Sequence, residues 1–199
     1  MSGREEMLKA IRAQTVPPSP LPELAGDWIR YPDPFAQFQK MLEFVGGRAV
    51  RVANLSEIRG HLESLPTFVA ARQIVSGVSS VEGNIDLNAV EDPHTLETVD
   101  WAIMPGEFAV AENGAVWLTD RGLKQRAIYF IVQHLSLVIP VSQIVNNMHE
   151  AYARITVGTS SLGVFISGPS KTADIEQSLV IGAHGPRSMT VFCVDDMGA

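Results

Sequence analysis

Cysteine is nearly absent from this chain, whose 199 residues contain only Cys193. A single thiol cannot close an internal disulfide, and an iron–sulfur cluster takes about four cysteine ligands. Cysteine-rich zinc sites are excluded for the same reason. Cys193 lies in an apolar alternating run, which is typical of a buried packing thiol rather than a nucleophile. We therefore expect no iron–sulfur cluster and no covalently bound cofactor here. Any redox chemistry would need another subunit or a bound cofactor to carry electrons.

Long apolar runs and basic runs are also missing. No stretch approaches the roughly 20 apolar residues that a membrane helix needs. The N-terminal segment MSGREEMLKAIRAQ is charged and lacks the apolar core of a secretion signal. The formal net charge is −7 and no Lys/Arg stripe occurs, which argues against nucleic acid or an anionic membrane as the main partner. We expect a soluble, cytoplasmic protein without a membrane span.

What is present favours one globular domain with an N-terminal arm. Hydrophobic residues make up 46% of the chain and charged residues 19%, so a large core can form. Residues 3–14 predict a short amphipathic helix, and four prolines between residues 17 and 22 predict a stiff, extended connector. Residues 1–24 are therefore predicted to be an arm and residues 25–199 a single domain. Such an arm either packs on a neighbouring subunit, which would make a homo-oligomer, or stays a flexible tail.

Helical and strand-like segments alternate along the predicted domain. Helices are predicted at residues 34–45, 56–65, 142–155 and 173–180, with Asp33 and Ser142 among the expected caps. Strands are predicted at 49–53, 73–78, 163–167 and 189–194, and β-branched apolar runs occupy 128–132 and 135–139. This alternation predicts an α/β fold with a mostly parallel sheet covered on both faces. Ligands of such sheets bind outside the carboxyl ends of strands, where we expect the loop at 168–172.

Two punctuated loops flank the predicted helix at residues 173–180, in the segment ISGPSKTADIEQSLVIGAHGP at 166–186. A strand–loop–helix turn aims free backbone N–H groups and the helix dipole at one point, which suits a small carboxylate or phosphate. The same pattern also fits an ordinary capped helix start. The segment is not a Walker A loop, and no G-x-G-x-x-G motif occurs. The candidate ligand-binding residues are Gly168, Ser170, Lys171, Thr172, Asp174 and Glu176.

The segment FAVAENGAVWL at residues 108–118 predicts a β-hairpin, because Asn113 and Gly114 both tolerate positive φ. A plain tight turn explains this pattern on its own. The functional alternative makes Asn113 and Gly114 ligand-binding residues beside a catalytic Glu112. A carboxylate next to a tight turn could act as a base or as a nucleophile that forms an acyl intermediate.

Histidine is the remaining source of acid–base chemistry near neutral pH. His134 stands at the start of an apolar run, and His184 lies in the second glycine-rich loop. Both are catalytic candidates, although a histidine satisfied by its core or loop neighbours is the commoner outcome. No H-E-x-x-H motif or comparable ligand spacing occurs, so no metal site is predicted.

The motif SGPSKTADIEQSLVIGAHGP, residues 167–186, resembles the LUD-domain family in its lactate utilisation protein C (LutC/YkgG-like) branch. AVAENGAVWLTD at 109–120, and His134 with LSLVIP after it, extend the resemblance to about residues 101–194. It implies a three-layer α/β/α domain like that of ribose-5-phosphate isomerase, glucosamine-6-phosphate deaminase and the CoA transferases (the NagB/RpiA/CoA transferase-like fold). It also implies a role in oxidising L-lactate to pyruvate alongside two iron–sulfur partner proteins.

One departure from the family keeps other functions open. The usual glutamate–threonine–glycine of the family is Glu112-Asn113-Gly114 in this chain. That turn is similar to the Glu-Asn-Gly motif of CoA transferases, whose glutamate is a nucleophile. A stand-alone CoA-transferase-like or phosphosugar-type enzyme using Glu112 is therefore the alternative. A third hypothesis is a regulatory module that binds a small anion without turning it over.

Overall fold

The computed structural model describes residues 3–14, 19–20, 22–172 and 180–198. Its α-helices are α1 (Gly3–Ala13), α2 (Pro34–Phe44), α3 (Glu57–Glu63), α4 (Pro66–Val69), α5 (Ile128–Ile131) and α6 (Met148–Arg154). Its strands are β1 (Arg48–Asn54), β2 (Ile74–Ser76), β3 (Trp101–Pro105), β4 (Phe108–Val110), β5 (Ala115–Thr119), β6 (His134–Pro140), β7 (Ile144–Val145), β8 (Gly163–Ile166), β9 (Lys171–Thr172), β10 (Val180–Ile181) and β11 (Ser188–Asp196).

A parallel sheet of five strands forms the centre of the fold, in the order β1-β11-β6-β3-β2. β6 and β11 lie in its middle and are buried at residues 135–139 and 189–194, where only Ser136 and Thr190 are polar, as expected for strands covered on both faces. The predicted mostly parallel sheet is therefore confirmed. Its inner strands supply several of the largest buried side chains, including Trp101, Phe192 and Leu137.

Helices cover both faces of this sheet. On one face, Ile58 and Leu62 of α3 pack against Trp101 and Phe192. On the other face, α2 packs together with a second sheet of four strands, in the order β7-β4-β5-β8. The three-layer arrangement is thus confirmed, and the second sheet shares one outer layer with α2.

The start of α2 follows directly from its sequence. The side chain of Asp33 accepts a hydrogen bond of 3.0 Å from Ala36 N, and Pro34 occupies the first turn, where its missing N–H costs nothing. Phe38 and Leu42 are fully buried and anchor the helix on the central sheet. The cap predicted at Asp33 is confirmed.

The helix predicted at residues 142–155 is shorter than expected. Residues 141–143 form a 3₁₀ turn, Ile144 and Val145 form β7 beside β4, and the helix begins at Met148. Asn147, not Ser142, provides the cap, through a hydrogen bond from Glu150 N to Asn147 Oδ1 of 3.0 Å. Pairing with β4 satisfies backbone groups that the longer helix would have used internally, so tertiary context overrides the local periodicity. The β-branched run at 128–132 likewise contains a helical turn, α5.

The expected helix at residues 173–180 falls mostly outside the described residues, as do Asp174 and Glu176. Val180 itself lies in β10, which pairs with Thr172 of β9 in antiparallel fashion. Thr172 is therefore a strand residue.

Cys193 is fully buried in the core, as its apolar surroundings predict. Burial raises the pKa of its thiol to about 12, so it stays protonated at neutral pH. This environment makes the thiol a packing group rather than a nucleophile. Among the helices of the described residues, none combines the length and apolarity needed to cross a membrane.

Substituting Asn147 should destabilise the fold more than substituting Ser142. Asn147 is 2% exposed, caps α6 and donates to Ile29 O at 2.8 Å, so Asn147→Ala removes the side-chain partner of both Glu150 N and Ile29 O. We expect a loss of about 1–2 kcal/mol in the free energy of unfolding, measured by urea denaturation. Ser142→Ala, at an exposed position, is the matched control and should change it by less than about 0.5 kcal/mol. Equal losses would contradict the helix start seen here.

Candidate functional site

The hairpin turn at Asn113-Gly114 and the Ser167–Thr172 loop pack on the same part of α2. Ser167 Oγ donates a hydrogen bond of 2.8 Å to Asn113 O, which joins the loops directly. Gly114 has a φ of 67°, and a Cβ there would lie 2.8 Å from Leu42 N. Gly168 has a φ of 76°, and a Cβ there would lie 2.7 Å from Val45 O. Only glycine fits both constraints at either position.

A second set of contacts ties the Ser167–Thr172 loop to the glycine-rich loop at residues 182–186. Ser170 N donates to Pro186 O at 2.9 Å, and Gly182 N donates to Ser170 O at 2.9 Å. Thr172 Oγ1 lies 3.2 Å from His184 Nδ1. The N–H of Ser170 is therefore already satisfied, and it is not available to an anion as the sequence pattern suggested.

These loops meet at the amino edge of the central sheet. The glycine-rich loop leads into β11, and Arg187 N donates to Gln133 O at 2.8 Å just before β6 begins. The end of α2 leads into β1 at the same edge. We had expected the 168–172 loop at the carboxyl ends of parallel strands, and that expectation is wrong. β8, which precedes the loop, pairs antiparallel with β5 in the second sheet.

The glycine-rich loop presents three successive peptide N–H groups, those of Ala183, His184 and Gly185. None of them donates a hydrogen bond to another described residue. Ala183 and His184 are exposed, and a Cβ at Gly182 would collide with the side chain of Arg187. Successive unpaired N–H groups in a turn form a concavity that attracts anions. Among the described residues, the free N–H donors therefore lie in the 182–186 loop and not in the loop that contains Ser170.

Lys171 occupies a different face of the same corner. It is exposed, and its Nζ and Cε lie 3.8 Å and 3.6 Å from where a Cβ of Gly46 would be. Gly46 follows the C-terminal end of α2, where the helix dipole favours a cation. Lys171 therefore adds positive charge to the corner while its stem runs toward α2.

Glu112 has a structural partner in the folded chain. The hairpin predicted around it is confirmed, with β4 and β5 antiparallel and Asn113 Oδ1 accepting from Ala115 N at 3.1 Å. Glu112 Oε2 accepts from Met148 N at 2.9 Å, which satisfies the first N–H of α6. Its side chain remains exposed, so a reactant could still reach it.

His134 lies at the start of β6, half-buried beside Trp101. The two rings stack with centroids 4.7 Å apart, and His134 Nδ1 lies 2.7 Å from Ser188 Oγ. Burial, and then the charge of Arg187, lower the pKa of His134, while Asp100 partly opposes them. The imidazole is therefore neutral at pH 7. It borders an open cavity of about 470 Å³ together with Gln133 and Arg187.

Several residues in and near this corner were not predicted from the sequence to belong to a site. Phe130, Gln133 and Arg187 line hollows next to His184 or His134. The Asn146-Asn147 pair binds the segment before α2, through Tyr31 N to Asn146 Oδ1 at 2.9 Å, and Trp28 stacks on His149 at 3.5 Å. Two adjacent asparagines before an amphipathic segment were a cap signal in the sequence. Within the part of the chain that the structure describes, no group of three or more His, Cys, Asp or Glu side chains could hold a metal ion.

The lowered pKa of His134 predicts a loss of stability on acidification. The unfolded chain takes up a proton near the ordinary pKa of 6.5, whereas the folded chain takes it up only at lower pH. The free energy of unfolding should therefore fall as pH drops through 6.5 toward the lower folded pKa. His134→Gln should show a shallower fall between about pH 7 and pH 5 in urea titrations. Identical slopes in both proteins would contradict this assignment.

Curated relatives match about half of the chain. Lactate utilization protein C 1 of Bacillus mycoides (strain KBAB4) is 34% identical over 113 residues, which cover 53% of this chain and 48% of that protein. Lactate utilization protein C of Shouchella clausii (strain KSM-K16) is 37% identical over 105 residues, which cover 50% and 46%. The chain thus spans about half the length of these relatives.

A solved structure shares the fold. The crystal structure of a DUF162 family protein from Deinococcus radiodurans, at 1.70 Å resolution, superposes with a TM-score of 0.59 at 19% identity. The match covers 81% of this chain and 96% of that one. The model of the LUD domain matches residues 85–194, which contain the hairpin and both glycine-rich loops. Because that match spans more than half of the chain, this protein belongs to the LUD domain family.

Proposed function

We propose that this protein is a component of an L-lactate utilisation system that oxidises L-lactate to pyruvate with iron–sulfur partner proteins. One observation carries the proposal. The LUD match at residues 85–194 contains the Glu112–Gly114 hairpin, the Ser167–Thr172 loop and the 182–186 loop, which contact one another or share the end of α2. The related proteins named for lactate utilization are 34% and 37% identical to about half of this chain.

The amino-acid composition supports a division of labour with iron–sulfur partners. The chain has one cysteine, which is buried and protonated, while a cluster takes about four thiolates. Oxidation of lactate to pyruvate releases two electrons, which a partner protein accepts in this proposal. In this proposal the LUD domain handles the substrate or stabilises the complex, and the partners carry the electrons.

The corner of the loops is the proposed binding site for the anionic group of the ligand, a carboxylate or phosphate. The three N–H groups of the 182–186 loop supply donors, and Thr172 and the His184 ring lie beside them. Lys171 and Arg187 raise the positive potential at the same edge. Gly168 and Gly114 contribute by allowing the close packing that holds the loops in place.

A stand-alone enzyme that uses Glu112 as a nucleophile is the second candidate. The exposure of Glu112 favours it, since a substrate could reach the carboxylate. Its hydrogen bond from Met148 N opposes it, because that bond stabilises the carboxylate as a structural acceptor. The two candidates differ in what Glu112→Gln should do, since glutamine keeps an acceptor oxygen but cannot form the acyl intermediate.

Deleting the gene should impair growth on L-lactate in a host that has no related copy. Growth on pyruvate should stay normal, because the defect precedes pyruvate. Complementation with the wild-type chain should restore growth on L-lactate, and so should Glu112→Gln, whose hydrogen-bonding role is retained. Normal growth of the deletion strain on L-lactate would reject the lactate role. Failure of Glu112→Gln alone would favour the enzyme that uses Glu112.

Inorganic phosphate should protect the folded protein if the corner binds anions. A ligand present at about ten times its Kd stabilises the folded state by about 1.4 kcal/mol, which raises Tm by roughly 3–5 °C in a chain of this size. Lys171→Ala should reduce that rise, while Lys9→Ala on the exposed helix α1 should not. Each variant loses one lysine charge, so a general effect of salt on Tm should be equal in the two. An identical phosphate response in wild type and Lys171→Ala would remove Lys171 from the site.

A further inference from the structure

An aromatic ring faces solvent directly beside the glycine-rich loop. Phe130 is 42% exposed, although its neighbours Ile128 and Tyr129 are buried. Tyr129 donates to Thr119 O at 3.0 Å, which fixes the short helix α5 on the second sheet. Ile128 and Tyr129 therefore anchor α5, while the side chain of Phe130 remains partly exposed. Gly185 packs on the backbone of Phe130, where an added Cβ would lie 3.2 Å from Phe130 O.

Two adjoining hollows run along this surface. The first, of about 480 Å³, lies between Phe130 and the loop at residues 182–185 and reaches Gln133. The second, of about 280 Å³, shares Phe130, His184 and Gly185 and continues to the loop at 167–170. Small-molecule sites typically have volumes of about 300–1,000 Å³. A three-carbon acid would fill only a small part of this space.

The chemistry of the walls is different at the two sides of the hollow. One wall offers peptide N–H groups from Ala183 to Gly185, which suit a phosphate. The other offers the partly exposed aromatic ring of Phe130, which suits a planar base because every nucleobase has a stacking face. Besides Phe130, the apolar side chains of the first hollow are Ala127, Ile131 and Ala183, which do not form the continuous aliphatic wall that an acyl chain needs.

We propose that this groove binds a purine nucleotide, with phosphate oxygens on the N–H groups of Ala183, His184 and Gly185 and the base stacked on Phe130. The placement of the phosphate rests on the anion site proposed above, whereas the placement of the base rests on Phe130. Neither depends on the role in lactate utilisation. Arg187, whose side chain lies against Gly182, places a cation on the same loop and favours a ligand with more than one negative charge.

Isothermal titration of the full chain with ADP, adenosine and inorganic phosphate tests this site. We expect ADP to bind at least about tenfold more tightly than adenosine or phosphate, because it alone engages both walls. Phe130→Ala should weaken ADP binding about tenfold or more and leave phosphate binding unchanged. Phe130→Leu, which keeps an apolar side chain without the ring, should also lose affinity for ADP. Phe44→Ala is the matched control, since Phe44 is 81% exposed on α2.

The outcomes separate the nucleotide from the anion site. If phosphate binds and ADP binds no more tightly, the nucleotide is rejected and the anion site stands. If Phe130→Ala and Phe44→Ala affect ADP equally, the stacking on Phe130 is rejected. If neither ADP nor phosphate binds the wild-type chain, both sites are rejected, while the growth phenotype on L-lactate still decides the pathway role.

Discussion

The close packing of two glycines on the end of α2 holds the candidate site together. Gly114 lies against the backbone at Leu42, and Gly168 lies against the carbonyl of Val45. A side chain at either position would push its loop away from the helix, and both backbones have positive φ. Ser167 donates to Asn113 O across this junction, which joins the hairpin to the Ser167–Thr172 loop. The position of α2 on the central sheet therefore sets the position of the site.

This packing places the site at the amino edge of the parallel sheet. Open α/β sheets usually bind ligands beyond the carboxyl ends of their strands, where the crossover connections diverge. Here the chain passes from β3 into β4, which belongs to the second sheet, as does β8. The loop after β8 then reaches the residues that precede β11. The amino edge also gathers His134, Arg187 and the glycine-rich loop. The fold thus brings together residues that the general rule would have separated.

Sequence patterns correctly predicted those helices, strands and turns whose tertiary contacts agree with the local preference. Asp33-Pro34 started α2 as expected, Asn113-Gly114 formed the hairpin, and the apolar run before Cys193 became a central strand. The predictions failed where a tertiary partner offered a better arrangement. Ile144 and Val145 fit a helical period, yet they pair with β4, and Val180, at the end of a predicted helix, pairs with Thr172. Hydrogen bonds to a distant strand are invisible to periodicity, which measures only neighbours along the chain.

The amino-acid sequence by itself determined the α/β class, the family motif, the hairpin turn and the lack of thiolates for a metal cluster. These depend on residue type and short spacing, which need no knowledge of the third dimension. Tertiary structure alone decided which N–H groups remain unpaired, where the ammonium of Lys171 lies, and that Phe130 faces the 182–186 loop. Availability of a donor or a ring depends on every neighbour that competes for it, and those neighbours come from segments far apart in the chain.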